Sequence, residues 1–247
     1  KTVGYEGRMA DFVKSNPHSV LIPQIRYAYA ANLFDEKQYK AASEEFAKID
    51  FKTLYKDQED EFLFWQAYCD LENKNTQAAV DRFVELAARP VTDFTAPSQY
   101  IVGYVKYQHN DFHSALGWFE KAMTDSRFEE NAAWYIMECR FMLKDYAYVA
   151  SNAEKMYQSV PAERKPHLAR IISESYLVLG DKDNARKYYD LNTVDSAAKT
   201  RADWFYSGSL LYAIEDFKGA IDNYNMVTMR TDSIGQIANY HLGFSYI

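Results

Sequence analysis

A short pattern recurs along this chain every 34 to 37 residues, and a repeat of that period constrains folding more than any local propensity. A unit so small cannot bury an apolar face alone, so consecutive copies must stack on one another. The clearest copies are Tyr39, Ala42, Phe46; Phe112, Ala115, Phe119; and Phe217, Ala220, Tyr224. Weaker ones are Thr76, Ala79, Phe83; Tyr146, Val149, Ala153; and Lys182, Ala185, Tyr189. Twelve residues before each central position stands a second one, held by Ala30, Ala67, Gly103, Met137, Ser173 and Gly208, with Gly243 continuing the phase. Most of these are small.

Two helices per repeat account for the spacing. A small residue in mid-helix lets a paired helix approach closely, and an aromatic residue four positions after the Ala lies on the same face, one turn on. Between the two helices stand Asn110-Asp111, Lys144-Asp145, Gly180-Asp181 and Glu215-Asp216. Each Asp is placed to cap the second helix by accepting from its free N–H groups. Helix breaks are predicted near residues 36–38, 73–75, 110–111, 144–145, 180–182 and 215–216. All six prolines (Pro17, Pro23, Pro90, Pro97, Pro161 and Pro166) fall near junctions between repeats, where a missing N–H is tolerated. Residues 5–15 read as the second helix of a preceding hairpin, and Ile247 lies within a first helix, so the native polypeptide is expected to continue past it.

This array resembles the tetratricopeptide repeat, whose signature places Leu-Gly and Tyr in a first helix and Ala and Phe in a second. Trp204, Gly208 and Ala220 to Tyr224 match it most closely, and Met137 and Ala153 least. The resemblance covers residues 20–247 and implies an all-α, right-handed solenoid of antiparallel hairpins, with residues 1–247 forming a single domain. Members of that family are mainly protein-interaction scaffolds that bind extended peptides in a concave groove. A second similarity, carried by Phe12 to Ser19, Ala30 and Tyr39 to Phe46, is to tetratricopeptide proteins of the bacterial cell envelope. It implies a periplasmic or outer-membrane-associated location, with the cytoplasm as the alternative.

Composition narrows the partner. Nine Gly and six Pro in 247 residues are too few for a loop-rich β sandwich or a disordered chain. A net charge of −7, with Lys and Arg scattered among acids, opposes nucleic acid. No apolar run is long enough to span a membrane. The start on Lys1 fits a processed protein and a trimmed one alike.

Candidate chemistry is sparse. His109 and His113 have the spacing of a zinc pair on one helix, but the turn at Asn110-Asp111 falls between them. Cys69 and Cys139 lie whole repeats apart, too far for a disulfide, and read as small packing residues. The acids at Asp57 to Glu61 and Glu129-Glu130 stand where first helices begin and favour the positive helix end. No metal, no cofactor and no catalytic group is expected.

The notable constellation is aromatic, in a chain with 21 Tyr. Three residues before each small position of the first helix stand Tyr27, Phe64, Tyr100, Trp134, Arg170, Phe205 and Tyr240, and four after it stand Phe34, Leu71, Tyr107, Phe141, Leu177, Tyr212 and Ile247. One residue after it come Ala31, Tyr68, Tyr104, Glu138, Glu174, Ser209 and Phe244. In the tetratricopeptide family this stripe borders the concave surface, which makes Tyr27, Phe64, Tyr68, Tyr100, Tyr104, Tyr107 and Trp134 candidate contacts for a protein or peptide. The competing reading is that the same rings pack hairpin on hairpin. Family members that clamp a terminal carboxylate place Asn one residue after the small position, a pattern absent here.

The expected function is therefore a scaffold or adaptor binding a protein segment on its concave face. The alternatives are a sensor module for a catalytic or DNA-binding domain elsewhere in a longer protein, and an array that self-associates through its open ends.

Overall fold

The computed structural model describes residues 4–192, 199–227 and 231–247. Among them there is no strand. Fourteen α-helices succeed one another among the described residues, and the chain is an all-α solenoid of helix hairpins. Helix α1 (Tyr5–Ser15) precedes the paired helices α2 (Ile22–Asp35) and α3 (Tyr39–Phe46), α4 (Glu59–Glu72) and α5 (Thr76–Ala88), and α6 (Thr95–Gln108) and α7 (Phe112–Ala122). There follow α8 (Glu129–Met142) and α9 (Tyr146–Ser159), α10 (Lys165–Val178) and α11 (Lys182–Asp190), α12 (Arg201–Ala213) and α13 (Phe217–Tyr224), and α14 (Ser233–Ser245). Short 3-10 turns occupy Phe51–Thr53 and Ala162–Arg164. The chain divides into two compact units, residues 1–133 and 134–247.

Every predicted break falls between the helices of a pair, and all six breaks share one geometry. Lys37, Lys74, Asn110, Lys144, Gly180 and Glu215 each adopt a positive φ, from 60° at Lys37 to 81° at Gly180. The next N–H then reaches back to the carbonyl five residues earlier: Gln38 to Leu33 at 2.8 Å, Asn75 to Asp70 at 2.8 Å, Asp111 to Lys106 at 3.0 Å. The same bond recurs from Asp145 to Arg140, Asp181 to Tyr176 and Asp216 to Leu211. This closure satisfies carbonyls that the ending helix leaves free. The four capping aspartates accept as expected, from the backbone N–H of Ser114, Tyr148, Asn184 and Gly219 at 3.0 to 3.2 Å. Only one of the six left-handed residues is glycine; the others bear the strain of a Cβ in that region.

Within each hairpin the recurring contact is a ring laid on a small residue. Ala30, Ala67, Ala42, Ala79, Ala115 and Ala220 are fully buried, as are Phe46, Phe83 and Phe119. A Cβ built on Gly103 would lie 3.0 Å from the ring of Phe119, and one on Gly208 only 2.7 Å from the ring of Tyr224. The fourth repeat, which departs most from the pattern, exchanges the sizes. Met137 takes the small position and Ala153 the ring position, and both are buried; an exchange of volumes of this kind is how cores tolerate substitution. In the fifth repeat Ser173 fills the slot and donates from its hydroxyl to the carbonyl of Ala185 at 2.7 Å.

Two measurements follow from this packing. Gly208→Ala should destabilise the chain by about 1 to 3 kcal/mol, outweighing the roughly 1 kcal/mol that Ala gains as a helix former. The Tyr224 ring cannot easily retreat, because its hydroxyl meets Ser209 Oγ at 3.2 Å and His241 Nδ1 at 2.8 Å. Gly103→Ala should cost less, and equal chemical-denaturation midpoints for the two variants would contradict the assignment. Cys69 and Cys139 are buried free thiols whose pKa values are pushed up to about 12, by burial first and then by neighbouring carboxylates. Both should resist a thiol-reactive disulfide reagent in the folded protein and react fully after unfolding.

Candidate functional site

The rings of the predicted stripe divide into two kinds once their neighbours are known. In the unit of residues 1–133, Tyr27 is buried against Phe62 and Trp65 of α4, with ring centres 6.4 and 5.5 Å away. Its hydroxyl donates to Glu61, and burial, reinforced by that carboxylate, drives its pKa upward. Phe64 and Tyr100 are half-buried and each meets the second-helix ring of its own hairpin edge-on, Phe83 at 5.5 Å and Phe119 at 5.6 Å. Tyr107 meets Phe112 at 5.6 Å and 70°. That edge-to-face pair recurs with little change as Phe34 with Tyr39, Phe141 with Tyr146, and Tyr212 with Phe217, all between 69° and 71°. Such geometry sets the partly positive ring edge against the negative face. These rings, three before or four after the small residue, therefore help to hold the hairpins together.

The intervening position is freer. Tyr104 is 37% exposed, and its hydroxyl accepts from Gln108 Nε2 at 2.8 Å. Tyr68 is half-buried beside Phe34, Tyr39 and Phe64. In the unit of residues 134–247, Trp134 is buried between the His167 ring, 5.7 Å away, and the Arg164 guanidinium, 5.1 Å from its centre. Of the seven candidate contacts, Tyr27 and Trp134 are thus packing residues in their surroundings. Phe64, Tyr68, Tyr100, Tyr104 and Tyr107 retain exposed surface.

A second feature lies in the latter unit, where the stripe changes from aromatic to charged. Helices α10 and α12 border a groove of about 410 Å³, lined among others by His167, Arg170, Glu174, Asp203 and Tyr206. Arg170 Nη1 donates to Glu174 Oε1 at 2.9 Å, one helical turn along, and its guanidinium lies 5.8 Å from the centre of the Tyr206 ring. His167 Nε2 lies 2.6 Å from the carboxylate of Glu138, which is 7% exposed. Asp203 is held by the α12 capping box, accepting from the N–H and hydroxyl of Thr200 at 2.8 and 2.7 Å. Arg170, Glu138 and Glu174 stand out in sequence as departures from the aromatic stripe; that Arg170 and Glu174 border a cavity, with Glu138 behind His167, follows only from the packing of the helices.

His109 caps the end of α6, with Nδ1 2.8 Å from the Val105 carbonyl, and His113 lies beyond the turn in α7. Among the described residues no three His, Cys, Asp or Glu side chains gather closely enough to hold a metal ion. No described helix is long and apolar enough to cross a membrane.

Burial raises the pKa of Glu174 above its ordinary value, and the Arg170 charge offsets this only in part. An acid whose folded-state value is raised disfavours folding once ionised, so its contribution worsens as pH climbs from the unfolded value through the folded one. Glu174→Gln should accordingly unfold at a higher denaturant concentration than wild type at neutral pH. The gap should close in acid, at pH below about 4, and a gap that widens there would reverse the reading.

No family model matches the chain, and no curated protein is similar to it in sequence. Solved structures are similar in fold. Pseudomonas aeruginosa PilF superposes with a TM-score of 0.60 at 13% identity, over 88% of this chain and 96% of that one. PilW, a type IV pilus biogenesis factor, gives 0.54 at 12% identity, over 88% and 98%. A tetratricopeptide repeat protein from Parabacteroides merdae gives 0.50 at 13% identity, over 98% and 91%. With the two-helix repeat, the small-residue slots and the shared turn, these likenesses make the fold of this chain that of a tetratricopeptide-repeat array.

Proposed function

We propose that this chain is a protein-interaction module, without catalytic activity of its own, that holds a segment of a partner protein along its first helices. The observation that carries this is the division of labour among the stripe positions. The rings three before and four after the slot pack against their neighbours yet keep part of their surface at Phe64, Tyr100 and Tyr107, while the position beside the slot leaves the Tyr104 ring 37% exposed. Partly exposed aromatic residues clustered on a rigid scaffold are typical anchors of protein contacts, because they bury much area with little loss of rotamer freedom. In the unit of residues 1–133 the contact surface would comprise Phe64, Tyr68, Tyr100, Tyr104 and Tyr107. A location in the bacterial envelope belongs to the same proposal. It is supported by the resemblance of Phe12 to Ser19, Ala30 and Tyr39 to Phe46 to envelope tetratricopeptide proteins, and the fold is shared with PilW, itself a pilus biogenesis factor.

The reading is tested by placing a photo-crosslinking amino acid at position 104 in cells that make the protein. Crosslinks to a discrete protein, weakened by Tyr68→Ala with only a small loss of stability, are the expected result. Trp134→Ala, by contrast, should lose about 3 to 5 kcal/mol of stability, as for any buried large aromatic. Failure of position 104 to crosslink to any protein, or a loss of stability from Tyr68→Ala as large as that from Trp134→Ala, would count against the proposed surface.

A further inference from the structure

The groove between α10 and α12 differs in chemistry from the aromatic surface, and its charges point to a specific occupant. Its resident cations are already engaged. Arg170 is bound to Glu174 and lies near the Tyr206 ring, and Lys199 Nζ lies 4.6 Å from the centre of the Trp204 ring. The carboxylates of Glu163, Glu174 and Asp203 line the groove as well, and each has oxygen lone pairs for a further donor. Asn192 lines it too, and its Oδ1 is buried with no hydrogen-bond partner in the structure. A buried acceptor of that kind is costly unless a donor reaches it. Tyr206, 42% exposed, offers a ring face on which a cation can settle.

We propose that this groove receives a lysine or arginine side chain from a basic segment of a partner protein. The assignment rests on the interaction-module reading and adds the partner's chemistry to it. The guanidinium or ammonium group would donate to Glu174, Asp203 and Asn192 Oδ1 while its aliphatic stem lies along Leu210 and Tyr206. A cavity of about 410 Å³ has room for one such side chain. An incoming carboxylate would instead meet three acids, with Arg170 bound to Glu174, His167 to Glu138 and Lys199 at the Trp204 ring. The net charge of −7 on the whole chain favours a basic partner in the encounter as well.

The test uses the full chain labelled for amide NMR and titrated with N-acetyl-arginine amide, N-acetyl-lysine amide, N-acetyl-norleucine amide and N-acetyl-glutamate amide. Saturable shifts confined to α10 and α12, from the two cations at about 10 mM and not from norleucine or glutamate, are expected. Glu174→Gln, which keeps the shape, should weaken that binding by about tenfold. Tyr206→Leu supplies an independent loss should the first variant fold poorly. Equal shifts from norleucine, preferential shifts from glutamate, no saturation, or binding unchanged in both variants would each overturn the proposal. The two readings fail separately. If the cations do not bind while position 104 still crosslinks, the groove assignment falls and the module stands. If they bind as described while no protein crosslinks at position 104, the groove assignment stands and the aromatic contact surface falls.

Discussion

The contact on which the hairpins depend is a large side chain of one helix laid on a small residue of the other, most often the ring of a second helix on the first. It sets how closely the two helices approach, and through that distance it determines which other side chains can be used. With Gly103 under Phe119 and Gly208 under Tyr224, the backbones come near enough that even a methyl group intrudes. Most residues three before and four after the slot are then apolar or aromatic and pack against rings of neighbouring helices, Arg170 being the charged exception. What is left for recognition is the narrow register beside the slot and whatever lies between successive first helices. Function in such an array is confined by packing before any ligand is considered.

Much of this was legible in the residues themselves because a period is a global property, insensitive to errors at single positions. Helix α1 spans Tyr5–Ser15 as read from the sequence, and the four turns marked by an Asp, with those at 36–38 and 73–75 set by the period, fall where predicted. The fourth repeat, weakest as a motif, proved regular as a helix pair, since volume exchange between Met137 and Ala153 is invisible to a pattern of residue types. Less was legible about exposure. Tyr27 and Tyr104 belong to one stripe in sequence, but Tyr27 is 8% exposed and Tyr104 37%. The difference arises from Phe62 and Trp65 on the following first helix, and no local pattern encodes that neighbour. Tyr188, buried and stacked on Tyr176 at 5.8 Å, escaped notice because Tyr189 beside it holds the expected phase.

The charged groove illustrates the same limit from the other side. Arg170 and Glu174 stand out in sequence only as interruptions of an aromatic series. Their meaning depends on α12, whose Tyr206 and Asp203 come 36 and 29 residues after Arg170 and Glu174 and meet them only through the stacking of hairpins. Long-range charge placement in a repeat protein is thus written at the repeat period, one step beyond the window in which local chemistry is usually sought.

The six left-handed turns have a bearing on how the chain folds. Each is closed by bonds within a handful of residues, the reach back over five positions and, in four cases, the aspartate cap. None of these bonds waits on a distant part of the chain. Five of the six turns also carry a side chain at the left-handed residue where glycine would be easier, which narrows the freedom of the unfolded chain at those points. A polypeptide punctuated in this way carries local instructions for reversing direction. Its hairpins can therefore form quickly and in more than one order, as low contact order allows.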